Sequence, residues 1–139
     1  MRILVIDDDF SLGRALHRTL TDHDVSIETD SASGVARVVN ADLEGDPFDA
    51  VLCDYTMPGL NGLAVLAALR SHGDPPMLIL MSGYDDVVDA ASIADGVLIK
   101  PFRTTEIHET IDRIKAQRSH AQTRRMRRMR ETHAEAPIA

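Results

Sequence analysis

The sequence predicts an α/β fold: a doubly wound sheet of five parallel strands with helices on both faces. Three observations predict it. Short apolar runs alternate with segments of helical period from Arg2 to about residue 115, the pattern of repeated strand–helix crossovers. The runs are almost continuously apolar rather than alternating, which is how strands covered on both faces read. Four of the runs stop at a polar group, at Asp7, Asp54, Ser82 and Lys100. In a parallel sheet with right-handed crossovers, those four groups emerge on one edge.

Taken in order, Arg2–Ile6 is the first strand, ending in Asp7, Asp8 and Asp9. A helix follows, with Leu12, Ala15, Leu16, Thr19 and Leu20 on one face. Asp9 or Ser11 can cap its N-terminus. Val25–Thr29 is a second, more polar strand near the sheet edge, and Ser31–Asn40 a helix weakened by Gly34. Ala41–Pro47 is a loop. Ala50–Cys53 is the third strand, stopping at Asp54. Pro58, Gly59, Asn61 and Gly62 then make a turn-rich loop before a helix over Leu63–Leu69. Pro76–Met81 is the fourth strand, Asp86–Ile93 a short helix at most, and Gly96–Ile99 the fifth strand, ending at Lys100-Pro101. Thr104 caps a last helix whose inner face carries Ile107, Ile111 and Ile114. That stripe ends at Ile114, so the docked part of the helix is expected to end near residues 116–120.

At 139 residues, 44% of them hydrophobic, the chain fits one domain with a real core and a short extension. We expect one domain over residues 1–118. Residues 119–139 would be a basic C-terminal extension, partly disordered or a continuation of the last helix. No segment resembles a targeting peptide or approaches the roughly 20 apolar residues of a membrane span, so the cytoplasm is the default location and no membrane partner is expected. The lone Cys53 lies in an apolar strand, where it acts as a small hydrophobe. The net charge of −7 hides an asymmetry. Residues 1–112 hold 7 basic and 20 acidic side chains, a net of −13, and residues 113–139 hold 8 basic and 2 acidic, a net of +6.

The strand ends carry the chemistry. Asp7, Asp8 and Asp54 converging on one edge would repel, and a cation between them relieves the repulsion. A hard divalent cation with oxygen ligands, Mg²⁺ above all, suits carboxylates, waters and phosphate oxygens. Lys100 and the Ser82 hydroxyl complete a set fit for a phosphoryl group. Asp54 is left as the carboxylate free to attack phosphorus and form an aspartyl phosphate. Taken singly, an acidic residue after a strand is most often a solvated loop residue or a helix cap. Four matching strand ends in order specify much more.

Residues 1 to about 115 resemble the receiver domain of two-component response regulators. The matching motifs are Ile3-Leu-Val-Ile-Asp7-Asp8-Asp9, Leu52-Cys-Asp54-Tyr-Thr-Met57-Pro58-Gly-Leu-Asn-Gly62, Met81-Ser82-Gly83 and Lys100-Pro101-Phe102. The resemblance implies the flavodoxin-like strand order 2-1-3-4-5. It makes Asp54 the phosphoacceptor for a sensor histidine kinase or phosphotransfer protein. Asp8 would ligate Mg²⁺ directly, Asp7 mostly through water, and the Thr56 backbone carbonyl would add a ligand. Ser82 and Lys100 would hold the phosphoryl group, and the Lys100–Pro101 peptide would be cis. Thr56 and Tyr84, each two residues past a site residue, would tune hydrolysis. The downstream partner would be a protein the sequence does not name. The chain would act as a stand-alone receiver of the chemotaxis-regulator kind, with self-directed phosphotransfer rather than turnover.

Two departures from the family fall on one surface. Ser82 to Lys100 spans 18 positions, about one helical turn fewer than the family's usual spacing. This shortens the fourth helix. The position three before Lys100, usually Tyr or Phe, is Val97. The site is complete, and the conformational readout that depends on an inward-swinging aromatic is expected not to operate.

The six histidines are scattered and read as solvated. The run Arg124–Arg130 reads either as a solvated extension or as a contact for an acidic partner, the acidic body or nucleic acid, and nucleic acid is not expected as a partner except through this run. Its lack of aromatics argues against base stacking. Two competing functions remain. One is an aspartate-based phosphohydrolase of the haloacid dehalogenase type, with Asp7-Asp8-Asp9 as its Asp-x-Asp motif. The other is an adaptor with the receiver fold that works without phosphorylation.

Overall fold

The computed structural model describes residues 1–83 and 92–134. Its frame is set by five strands: β1 (Arg2–Ile6), β2 (Asp24–Glu28), β3 (Ala50–Asp54), β4 (Met77–Ser82) and β5 (Gly96–Ile99). All neighbours pair in parallel, in the order β2-β1-β3-β4-β5. Among the described residues four helices connect or follow them: α1 (Phe10–Thr19), α2 (Ser31–Leu43), α3 (Gly62–Arg70) and α4 (Thr104–Ala134). The short helix expected over Asp86–Ile93 falls mostly outside the described residues.

Alternation along the buried strands divides the core into two layers. Ile3, Val5, Leu52, Ile79, Met81 and Leu98 point to the side covered by α1 and α4. Leu4, Ile6, Val51, Cys53, Leu78 and Leu80 point to the side covered by α2 and α3. Both faces are therefore dry, as the continuous apolar runs require.

The helices start where short polar side chains cap them. Asp9 accepts from the Ser11 N–H at 3.0 Å, Asp30 from Ser33 at 2.8 Å and Asn61 from Ala64 at 2.9 Å. Asp9 is thus the cap of α1. The inner face of α1 is rotated from the expected one. Gly13, Leu16 and Leu20 are buried, whereas Ala15 and Thr19 are exposed. The rotation has a cause: Gly13 lets the helix sit against Ile27 of β2, whose side chain a Cβ would meet at 2.7 Å. Helix α2 runs three residues past the expected Asn40, to Leu43, before the chain turns.

The last helix corrects one expectation. Thr104 is its first residue rather than the residue preceding it. Past the docked part the helix continues unbroken to Ala134. The apolar stripe does end at Ile114. Ile107, Ile111 and Ile114 are buried, and Lys115 through His133 are exposed. Each buried isoleucine contributes roughly 1.5–3 kcal/mol, so the sheet holds α4 only as far as that stripe reaches. Beyond it lies one further clasp. Arg118 donates to the carbonyls of Pro75 and Pro76 at 3.3 and 3.0 Å and pairs with Asp95 at 3.1 Å. No described helix is long and apolar enough to cross a membrane.

Candidate functional site

Register alone brings the expected groups together. Ile6 is level with Cys53, Asp54 with Met81, and Ser82 with Ile99. Asp7, Asp54, Ser82 and Lys100 therefore all lie at the carboxyl edge of the central strands. Backbone bonds fix the strand ends: Tyr55 N–H donates to Met81 O at 2.8 Å and Lys100 N–H to Ser82 O at 2.6 Å. A close approach fixes the loop. A Cβ on Gly62 would collide with the backbone of Asp54 and Tyr55, so only glycine lets α3 begin there. Met57 is buried among residues of the α2–α3 layer and anchors the same loop.

Asp7 is 1% exposed and Asp54 8%, whereas Asp8 is exposed. One carboxylate oxygen from each of the three lies within 4.8 Å of the others. The Lys100 Nζ reaches into this cluster and sits 3.1 Å from both Asp7 Oδ2 and Asp54 Oδ1. Asp7 Oδ1 accepts from the Asp9 N–H at 2.9 Å. Burial pushes the Asp7 carboxyl above its ordinary value, outweighing the opposing hydrogen bonds from Asp9 and Lys100. Burial alone would lower the Lys100 ammonium, but its hydrogen bonds to Asp54 and Asp7 prevail and raise it. The edge is therefore one coupled electrostatic unit: three carboxylates, one ammonium, and an excess of negative charge.

That excess decides what the edge can hold. The donors are carboxylate oxygens without nitrogen or sulfur, a set that suits Mg²⁺ and similar hard cations. Asp7, Asp8 and Asp54 could hold such an ion.

The other expected residues are placed as follows. Ser82 ends β4 and is buried. Thr56 is exposed in the loop after β3, two residues from Asp54. The Lys100–Pro101 peptide is cis. Val97 is half-buried against the α2–α3 layer. Tyr84 lies outside the described residues. The solvated reading of the histidines holds for His17, His108, His120 and His133. His23 and His72 are instead half-buried, His23 beside the Met1 amino group at 3.3 Å and His72 3.8 Å from Asp42. The contact between Asp7 and Lys100 was not among the sequence expectations, which aimed Lys100 at the phosphoryl group alone. Its signal was available, since a parallel sheet brings the ends of β1 and β5 to one edge.

The model of the response regulator receiver domain matches residues 3–112. The chain belongs to that family. It is 40% identical over 113 residues to the transcriptional regulatory protein QseB of Haemophilus influenzae, a match covering 77% of this chain and 49% of that protein. It is 36% identical over 113 residues to the response regulator MprA of Mycobacterium avium, covering 77% of this chain and 47% of that one. The receiver chain thus spans about half the length of the curated relatives it matches.

Among solved structures, the response regulator TrrA of Thermotoga maritima, determined in complex with Mg²⁺ and BeF, superposes with a TM-score of 0.69 at 23% identity. It covers 81% of this chain and 97% of that one. The chemotaxis response regulator CheY4 of Vibrio cholerae gives a TM-score of 0.68 at 22% identity, with the same coverage. At these identities the likeness is one of fold. The phosphohydrolase reading finds no support in the family, and the receiver geometry works against it. Asp9, the second aspartate of its motif, has its carboxylate engaged as the cap of α1.

Proposed function

We propose that Asp54 accepts a phosphoryl group from a phosphohistidine of a sensor histidine kinase or phosphotransfer protein. The observation that carries this reading is the Asp54 carboxylate, 3.1 Å from the Lys100 ammonium and clustered with Asp7 and Asp8. An Asp54 oxygen attacks phosphorus, the nitrogen–phosphorus bond breaks, and an aspartyl phosphate forms as the imidazole leaves. Lys100 lies where it can follow the charge onto the phosphoryl oxygens, and the Ser82 hydroxyl is the donor for another of them. Asp7 and Asp8, with Asp54 and the Thr56 carbonyl, are the residues to hold Mg²⁺. When bound, the ion neutralises the carboxylates and the incoming phosphoryl oxygens. Asp7 keeps the Lys100 ammonium aimed at the site when no phosphoryl group is present.

The reaction is self-directed: phosphorylation and later hydrolysis occur on the protein's own side chain, with Thr56 and Tyr84 tuning the hydrolysis. Output is by contact with a downstream protein. With Val97 where the family carries an aromatic, that output does not use an inward-swinging ring. The cytoplasm is the fitting location, since the phosphodonor and Mg²⁺ are found there.

The test is uptake of phosphate from acetyl phosphate by the wild type and by Asp54→Asn, with and without MgCl₂. Mg²⁺-dependent uptake that Asp54→Asn abolishes supports the proposal. Steady turnover with modification at Asp7 would restore the phosphohydrolase. No uptake by the folded wild type would favour the phosphorylation-independent adaptor.

A further inference from the structure

The acidic body and the basic helix end are separate in space as well as in sequence. Beyond Arg118, among the described residues, the hydrogen bonds and ion pairs of α4 stay within the helix. Arg124, Arg125, Arg127, Arg128 and Arg130 are all exposed. Only Arg127 has a carboxylate partner among the described residues, Glu131 at 3.2 Å. Arginines three and four apart repel one another, and no apolar packing offsets that repulsion. An anion brought from outside would relieve that repulsion.

The geometry says which kind. At about 100° per residue, Arg127, Arg124, Arg128 and Arg125 follow one another around an arc of about 160°, with Arg130 about 60° beyond its edge on the far side. A flat acidic protein face touches cations along one narrow side of a helix. A groove with phosphates on both walls takes them on the front and on both flanks. The major groove of a DNA duplex, about 12 Å wide, admits a helix of about 10–12 Å diameter. Met126 and Met129, 57% and 60% exposed, lie on the side turned away from the arc.

The body does not forbid the approach of a polyanion. Arg124 stands about 9 Å and Arg128 about 15 Å along the helix from Arg118, where α4 leaves the body. That is one to two Debye lengths at physiological salt.

We propose that the projecting part of α4, Ser119–Ala134, seats in the major groove of double-stranded DNA. Its arginines neutralise phosphates on both walls and read no sequence. This is independent of phosphorylation at Asp54.

The experiment is fluorescence anisotropy of a labelled random-sequence duplex titrated with the full chain. With the four phosphates facing the arc neutralised, the slope of log K against log salt is about −3.6, so affinity falls about 150-fold between 50 and 200 mM salt. The triple variant Arg124→Gln, Arg127→Gln, Arg128→Gln keeps good helix formers on exposed positions, and circular dichroism checks that it folds. Its slope should drop to about −0.9. Three results would overturn the proposal: no binding of the wild type at low salt, the same affinity and slope in the triple variant, or equally tight binding of polyglutamate. A salt-sensitive dimer in sedimentation that the triple variant abolishes, without duplex binding, would assign the helix to a second copy of the chain instead.

Discussion

Removing the Lys100 ammonium should destabilise the protein in a way that Mg²⁺ reverses. Lys100→Met keeps the length of the side chain and deletes its charge. At an effective dielectric of about 20, each ion pair at 3.1 Å attracts by roughly 5 kcal/mol, and carboxylates within 4.8 Å repel by at least about 3.5 kcal/mol. Desolvation of the ammonium offsets much of the attraction. Breaking a buried pair costs 3–5 kcal/mol as a rule, and with Lys100 31% exposed solvent screening brings the net loss to about 2 kcal/mol. For a domain of this size that lowers the melting temperature by about 8 °C.

The assay is thermal unfolding followed by circular dichroism, in EDTA and in saturating MgCl₂. The more negative cluster of the variant binds the cation more tightly, so MgCl₂ should raise its midpoint by more than it raises that of the wild type. The pH dependence has a definite sign. Lys100 is held above its ordinary 10.5 in the folded state. Its contribution is complete below that value and is lost as pH climbs through the raised one. At the acid end the difference between variant and wild type narrows as Asp7, held above its ordinary value by burial, protonates. A variant that melts at or above the wild type in EDTA at neutral pH would refute the coupling of Asp7, Asp54 and Lys100.

Three further outcomes are expected. Burial, followed by the charges of Asp54 and Asp7, pushes the Cys53 thiol up to about 12. Ellman's reagent at neutral to mildly alkaline pH should therefore find no thiol in the native protein and one after denaturation; rapid native reaction contradicts this placement. Asp95 accepts from Leu78 N–H at 2.8 Å and pairs with Arg70 and Arg118 at 3.2 and 3.1 Å. Asp95→Ala should cost about 2 kcal/mol in urea unfolding, given the partial exposure of both arginines. Arg118→Ala should then add less in that background than alone, because the two share one network. Gly62→Ala forces the loop away from Asp54, with a cost of about 1–3 kcal/mol and slower uptake from acetyl phosphate. Unchanged stability and rate would mean that the loop yields without strain.

The sheet and its functional edge were legible because two independent signals coincide. Apolar runs set the strands, and each central run ends at a group whose chemistry belongs at a carboxyl edge. Parallel register then forces Asp7, Asp54, Ser82 and Lys100 together without any knowledge of side-chain conformation. Features that depend on three-dimensional approach were not legible. The inner face of α1 turned by one residue because Gly13 packs on Ile27, a contact between separate elements. The Arg70–Asp95–Arg118 network joins charges far apart in sequence, each of which alone reads as solvated. The length of α4 followed local propensity rather than burial. Arg, Met, Gln, Glu and Ala are good helix formers, and no Gly or Pro interrupts them before Pro137. The apolar stripe marks where the docked surface ends, not where the helix does.

The identity of the phosphorylated side chain bears most directly on the account. After treatment with acetyl phosphate and MgCl₂, borohydride reduces an aspartyl phosphate to homoserine, which peptide mass spectrometry can locate. The account predicts homoserine at position 54, absent when MgCl₂ is replaced by EDTA. Homoserine at Asp7 or Asp8, or a chain unmodified under conditions where it is folded, would contradict it.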